Sequence, residues 1–438
     1  MPLHCGTAKK EITPQIGTNL AGYMKERKAA GIHDPLYTRV FVFSNENDLF
    51  IMINLDLVGI DSHYVKLLTK RIWENFSIPK HHVFVHATHT HSGPGGIFDE
   101  SSLLVTAHPY LNGYLPYTKS IVDHQHNQIL AAIDYALKNL EICEVKFGEG
   151  VAEGIATNRN NLEASYDHKV SVITFTNKQG EKAIMYHFAC HPTILNANNV
   201  YISADFPGEV SKALEERSDV NCAMFINGPS ADISTRFTRK ASTFQEVERI
   251  GGKLAQKVIQ TSESATAIER PIVRAALYPI TLQMRDIPDE KTIKQELKNL
   301  QAIYSEKQDK VSVGELRRIA SQIEGANCLL QIVKNVKKVN DITTVIQLFR
   351  IKHIVFVGIP GEFYFESGEE IATYFDFPLL FAGNTNDQIG YIVPKKYWEK
   401  RDYEAYTTLL APESEDKIKQ AVREYLYLFA NEGECKDG

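Results

Sequence analysis

Cysteine is scarce and unpaired in this chain of 438 residues: six are scattered from Cys5 to Cys435, with no Cys-x-x-Cys step. That excludes a disulfide framework or a cysteine zinc site and fits free or buried thiols in a reducing compartment. Positive charge is not in excess, since 48 Lys and Arg stand against 54 Asp and Glu, a formal net charge of -6. A nucleic-acid binder would need a basic face, and an anionic membrane surface would attract one, so neither partner is expected. No apolar run reaches the length of a membrane span. Met1 to Lys10 holds no apolar stretch of a secretory leader, and a cytoplasmic protein is expected. Repeats, low-complexity tracts and Pro/Ser-rich linkers are missing too, so one domain over 1–438 is expected. The remaining composition, 43% hydrophobic, 23% charged and 10% aromatic, is that of a globular chain with a sizeable core.

What is present is a recurring local pattern: an apolar run that stops abruptly in a Gly/Pro loop carrying polar residues. It occurs at Val83 to His91, at Ala183 to Cys190 before His191-Pro192-Thr193, and at Cys222 to Ile226 before Asn227-Gly228-Pro229-Ser230-Ala231-Asp232. It returns at His353 to Ile359 before Pro360-Gly361-Glu362, and at Leu379 to Gly383 before Asn384-Thr385-Asn386-Asp387. These runs have the length of strands and are apolar enough to be covered on both faces. Helical patterns lie between them, at Ile121 to Leu140 and Phe244 to Ile259. The expected class is α/β, with mixed sheets flanked by helices and an active site at the strand C-terminal ends. Residues 288–338 are charged and helix-forming (Glu290 to Lys307, Ser312 to Lys334), and predict an inserted helical arm with a solvated face. Ser414 to Ala430 predicts a closing amphipathic helix with Ile418, Ala421, Val422, Tyr425 and Leu428 inward.

The richest segment is Val83-Phe84-Val85-His86-Ala87-Thr88-His89-Thr90-His91-Ser92-Gly93-Pro94-Gly95-Gly96. In an extended chain residues i and i+2 share a side, so His89 and His91 would project together beside a loop of little bulk. Such imidazoles suit metal binding or acid–base work; alone, they fit two surface histidines equally well.

With its neighbours, this segment resembles the signature of the neutral (non-lysosomal) ceramidases, zinc-dependent amidases. Gly22-Tyr23, Gly31-Ile32-His33 and Leu36-Tyr37-Thr38-Arg39 open the resemblance, and Tyr403-Glu404-Ala405 closes it. Ala189-Cys190-His191-Pro192-Thr193 resembles the family's second histidine motif, Ile359-Pro360-Gly361-Glu362-Phe363 its Pro-Gly-Glu-Phe motif, and Asn386-Asp387-Gln388-Ile389-Gly390-Tyr391 the segment supplying its tyrosine. The resemblance implies Zn2+ held by His89, His191, Glu362 and Tyr391, with His91 facing the scissile amide and, together with Arg159, holding its oxyanion. It further implies hydrolysis of a carboxamide, in an N-acyl lipid or N-acyl amine, by zinc-activated water. Ala231-Asp232-Ile233-Ser234-Thr235 stands where the family has Gly-Asp-Val-Ser-Pro; Ser234 is expected to position or hydrogen-bond. One catalytic unit without the family's C-terminal β-sandwich domain is expected, and with it a short, soluble amide as a better substrate than ceramide. Two alternatives remain: a metal-independent serine amidase using Ser234 with His91 and Asp232, and a zinc-holding binding protein without activity. The apolar loop of Ile97, Phe98, Leu103, Leu104 and Val105 and the stretch Tyr110 to Tyr117 fit either an acyl groove or ordinary core.

Overall fold

The computed structural model describes residues 2–45, 48–100, 102–107, 117–336 and 339–431. Residues 110–116 of the aromatic stretch and Cys435 lie outside them.

The main sheet runs, in spatial order, through Val220–Asn227, Lys182–Phe188, Lys169–Asn177, Glu141–Val151, His4–Glu11, Tyr37–Asn45, Asp48–Leu55 and Val83–Ala87. The outermost pair at each edge is parallel and the pairs between are antiparallel. Only two residue pairs, His4 with Ile142 and Cys5 with Glu141, join its two halves. Across that seam the halves turn to face each other: Asn54 Nδ2 donates to the Phe225 carbonyl at 2.8 Å, and the Asn227 N–H donates to His86 Nε2 at 3.0 Å.

Strand alternation explains this packing. Phe41, Phe43, Phe50, Met52 and Phe84 meet Phe175, Met185, Met224 and Ile226 in one shared core between the halves. Their neighbours point the other way. Val40, Val42, Ile51, Ile53, Val83 and Val85 are covered by the helices Ser62–Phe76 and Lys119–Lys138. Ile184, Tyr186, Ala223 and Phe225 are covered by Asp205–Glu215 and Phe244–Glu263. Both faces of Val83–Ala87, and of the apolar stretches of Asp48–Leu55 and Val220–Asn227, are therefore buried, as continuous apolar runs require. Several helix starts are capped by side chains that accept a free backbone N–H: Asp61 from Tyr64, Thr243 from Glu246 and Ser312 from Glu315.

A second sheet, Val273–Gln283, Asp341–Ile351, Ile354–Gly358 and Leu379–Ala382, adds Phe349, Phe356 and Ala382 to the shared core. Its other face carries the closing helix Ser414–Asn431, through Ile418, Val422, Leu426 and Phe429. Leu428, expected inward, is exposed; Leu426 and Phe429 take its place, because the helix is rotated by part of a turn from the expected face.

One open reading is decided and one expectation changes. Ile97, Phe98 and Val105 are fully packed into the core, which removes them from any open groove. The arm forms as Glu290–Lys307 and Val313–Asn335, but its second helix is more than a solvated layer. Ala326, Leu329 and Ile332 pack with Leu104, Tyr406 and Leu409, and Ser321 accepts a bond from Arg236 Nη2 at 2.9 Å.

Candidate metal centre

All five apolar runs form strands, and the loops at their carboxyl ends converge. The Gly383 N–H donates to Asn227, Asn386 donates to Val85 and Asn384 to Gly361. His89 lies two residues beyond its strand, where the chain is no longer extended. Its φ is +73°, a left-handed conformation that non-glycine residues adopt only when surroundings impose it. Here the Thr88 and His89 N–H groups are held by the Leu55 and Leu57 carbonyls. His89 and His91 thus come together through this turn and not through strand alternation. Gly22 backs them: a Cβ there would sit 2.5 Å from His91 Nδ1, and its φ is +93°.

Each imidazole is fixed from behind by a backbone carbonyl. His89 Nδ1 lies 2.5 Å from the Val58 oxygen, His91 Nδ1 2.9 Å from Gly22, and His191 Nδ1 2.7 Å from Ser230. A carbonyl can only accept, so all three rings carry their proton on Nδ1 and leave a lone pair on Nε2. Those lone pairs face one another. His89 Nε2 is 3.0 Å from His191 Nε2 and 3.4 Å from His91 Nε2. Glu362 Oε2 lies 3.3 Å from His89 Nε2 and 3.2 Å from His191 Nε2, and finds no donor of its own. Four acceptors held together with no hydrogen between them are reconciled by a cation. The three histidines form a group able to hold a metal ion.

Glu362 and Tyr391 are register partners on two short parallel strands, so their side chains share a face. Arg159 Nη2 donates to Tyr391 Oη at 3.2 Å, and Arg159 Nε to Glu404 Oε1 at 2.7 Å. Burial would raise the Glu362 carboxyl, but His89 and His191 outweigh it and hold it well below the usual range. Burial, reinforced by Arg159 and His89, lowers His191 to about 4, and burial with both other histidines depresses His91. The Tyr391 phenol is pushed well up by burial and by Glu362; a bound cation would reverse that.

Ser234 is buried beside His191, and its Oγ accepts the Arg236 N–H at 3.2 Å. Asp232 holds the loop, accepting from Asn158 Nδ2 at 2.6 Å and from the Phe365 N–H at 2.9 Å. Burial pushes its carboxyl up to about 7. Among the described residues no hydrogen bond joins Ser234 or Asp232 to His91, so a Ser-His-Asp relay is not assembled. Glu404, fully buried against Arg159, was not singled out from the sequence, although Tyr403-Glu404-Ala405 stood in the resemblance. The carbonyls of Val58, Gly22 and Ser230 have no side-chain signal by which sequence could reveal them.

A profile described as neutral/alkaline non-lysosomal ceramidase, N-terminal, matches residues 3–231. The chain belongs to this family. Its relatives include a neutral ceramidase of Pseudomonas aeruginosa, 26% identical over 236 residues, which are 48% of this chain and 33% of that protein. Neutral ceramidase 2 of Arabidopsis thaliana is 24% identical over 258 residues, 54% of this chain and 32% of that one. The chain therefore matches a third of the length of these ceramidases. The crystal structure of the Pseudomonas aeruginosa neutral ceramidase superposes with a TM-score of 0.74 at 21% identity, covering 97% of this chain and 75% of that one. The shared fold thus includes the second sheet, beyond the matched segment, and the two short strands that carry Glu362 and Tyr391.

Proposed function

We propose that the chain is a zinc-dependent amidohydrolase of the ceramidase type, cleaving the carboxamide of an N-acyl lipid or N-acyl amine. The observation that carries this reading is the meeting of three Nε2 lone pairs, those of His89 and His191 lying 3.3 Å and 3.2 Å from a donorless Glu362 oxygen. His89, His191, Glu362 and Tyr391 would hold the ion; two imidazoles with a carboxylate are a usual catalytic zinc set. When bound, zinc supplies polarisation of the carbonyl and a water of near-neutral pKa.

The chain's own groups do the rest. His91 spends its Nδ1 hydrogen on Gly22, so Nε2 is an acceptor at rest and cannot begin as an oxyanion donor. It suits the base that takes a proton from the attacking water and returns it to the leaving amine. Arg159 is the fixed cation: Glu404 and Tyr391 engage Nε and Nη2, while Nη1 bonds to no described residue and is left for the oxygen where charge develops. Ser234 positions the loop that holds His191.

The test is metal content and turnover of a soluble N-acyl amine, measured together. Protein purified without chelator should carry about one zinc per chain, and His89→Ala or His191→Ala should lose affinity on the order of a hundredfold, with turnover falling in step. Turnover that survives complete metal removal would sink the reading.

A further inference from the structure

Several buried or half-buried arginines in this molecule are matched by acids. Arg39 meets Asp56 and Glu215, and Arg159 meets Glu404. Around the mouth of the metal centre the pattern breaks. Arg27, fully buried behind His91, donates to the carbonyls of Ala21, His91 and Asn199. Arg236, two residues past Ser234, donates to the Arg159 carbonyl at 3.0 Å and to Ser321 Oγ. Arg239 donates to the Thr193 carbonyl, two residues past His191, and its Nε is buried without an acceptor. Arg317 donates to the Arg236 carbonyl at 3.1 Å. None of the four forms an ion pair with a described acid.

The charge is therefore not neutralised, in a chain whose overall balance is negative. Glu404, Glu324 and Asp205 act on it only from a distance; Glu404 is committed to Arg159, and Asp205 to the N–H groups of Leu195 and Phe206. Burial accordingly lowers Arg27 and Arg236 to about 10, whereas Arg159, which faces the same burial, is raised by Glu404. Holding buried cations without an ion-pair partner is costly, and an anionic ligand would offset that cost. These arginines adjoin the reacting centre. The Arg236 N–H donates to Ser234 Oγ and its guanidinium to the Arg159 carbonyl, while Arg239 is held on the His191 loop through the Thr193 carbonyl. Tyr23 lies 5.1 Å from the His91 ring with its hydroxyl on Leu195, so the same loop carries the floor under His91. Arg236 also lies at the point where the sequence departs from the Gly-Asp-Val-Ser-Pro pattern of the resemblance.

We propose that this site takes an amide bearing a carboxylate close to the scissile bond, recognised by Arg236 and Arg239, a substrate class that rests on the amidohydrolase reading above. Charge-assisted bonds of this kind distinguish an acid from its neutral isostere.

Four substrates test it on zinc-replete protein. N-acetyl-L-leucine is compared with N-acetyl-L-leucinol, placing the carboxylate on the amine half. Succinic acid mono-butylamide is compared with N-butylbutanamide, placing it on the acyl half. One of the acids should exceed its neutral partner in kcat/KM by about tenfold or more, and the pair that does so fixes which half carries the charge. Arg236→Gln and Arg239→Gln should bring that ratio towards one, while Arg236→Lys keeps part of it; a purely structural role would lower both members alike and leave the ratio unchanged. Neutral partners hydrolysed as well as the acids would overturn the proposal and leave the amidohydrolase reading standing. No turnover of any of the four, with an N-acyl lipid hydrolysed by the same sample, would likewise overturn the proposal alone; no turnover of the lipid either would overturn both.

Discussion

Each imidazole of the centre spends its one hydrogen on a main-chain oxygen, so ring orientation and tautomer are set by backbone geometry before any ligand arrives. The same economy governs Arg159, whose cation is tolerable in a buried site only because Glu404 accepts from Nε and Asn160 Nδ2 fills the other carboxylate oxygen at 2.9 Å. Removing one member of a buried pair leaves the other charge uncompensated. Glu404→Ala should therefore cost on the order of 3–5 kcal/mol of stability in urea unfolding. A cost under about 1 kcal/mol, the range of exposed pairs, would mean that Arg159 finds another partner.

Among the elements, the helix Lys119–Lys138 shows how a polar residue can sit on a core face. Val122, His126, Ile129 and Ile133 share its buried stripe, and His126 packs edge-on to Tyr64 with ring centroids 4.5 Å apart. Burial, with Arg71 adding to it, lowers His126 to about 4. The folded state thus holds it neutral while the unfolded chain protonates near pH 6.5. Its contribution to stability is intact above that pH, falls as pH drops towards about 4, and is constant below. Between pH 7 and pH 5 the loss from this one residue is about 2 kcal/mol. His126→Leu should flatten the fall in unfolding free energy over that interval by this amount; an unchanged slope would show that His126 protonates freely in the fold. The helix itself was legible from its periodicity, within two residues at each end, as were both arm helices and the five strands that end near the site. Those signals are local, set by side-chain period and by Gly/Pro stops. What sequence could not supply was long-range: the turn of the main sheet across a two-pair seam, the Glu404–Arg159 contact, and the arm helix laid against Arg236. The residues of the resemblance located His89, His191 and Glu362 together, but the left-handed turn at His89 contradicts the strand alternation first used to pair it with His91.

At the scale of the whole molecule, the centre exists because two sheets share one core. His89 and His191 follow strands of the main sheet, whereas Glu362 and Tyr391 follow strands of the second sheet. Phe349 is the junction. It is fully buried, with ring centroids 5.9 Å from Phe43, 6.3 Å from Phe50 and 6.0 Å from Phe84 of the main sheet, and 6.4 Å from Phe356 of its own. Truncating a buried phenylalanine removes about 3–5 kcal/mol through lost transfer energy and an unfilled cavity. Because the shared core ties the sheets together, Phe349→Ala should weaken both at once. Urea unfolding followed by fluorescence should remain a single transition at lower midpoint, and release of the zinc proposed above, followed with a chelating dye, should show that same midpoint. Zinc released well before the main transition would mean that the second sheet detaches by itself, and that the centre is assembled by docking and not by one cooperative core.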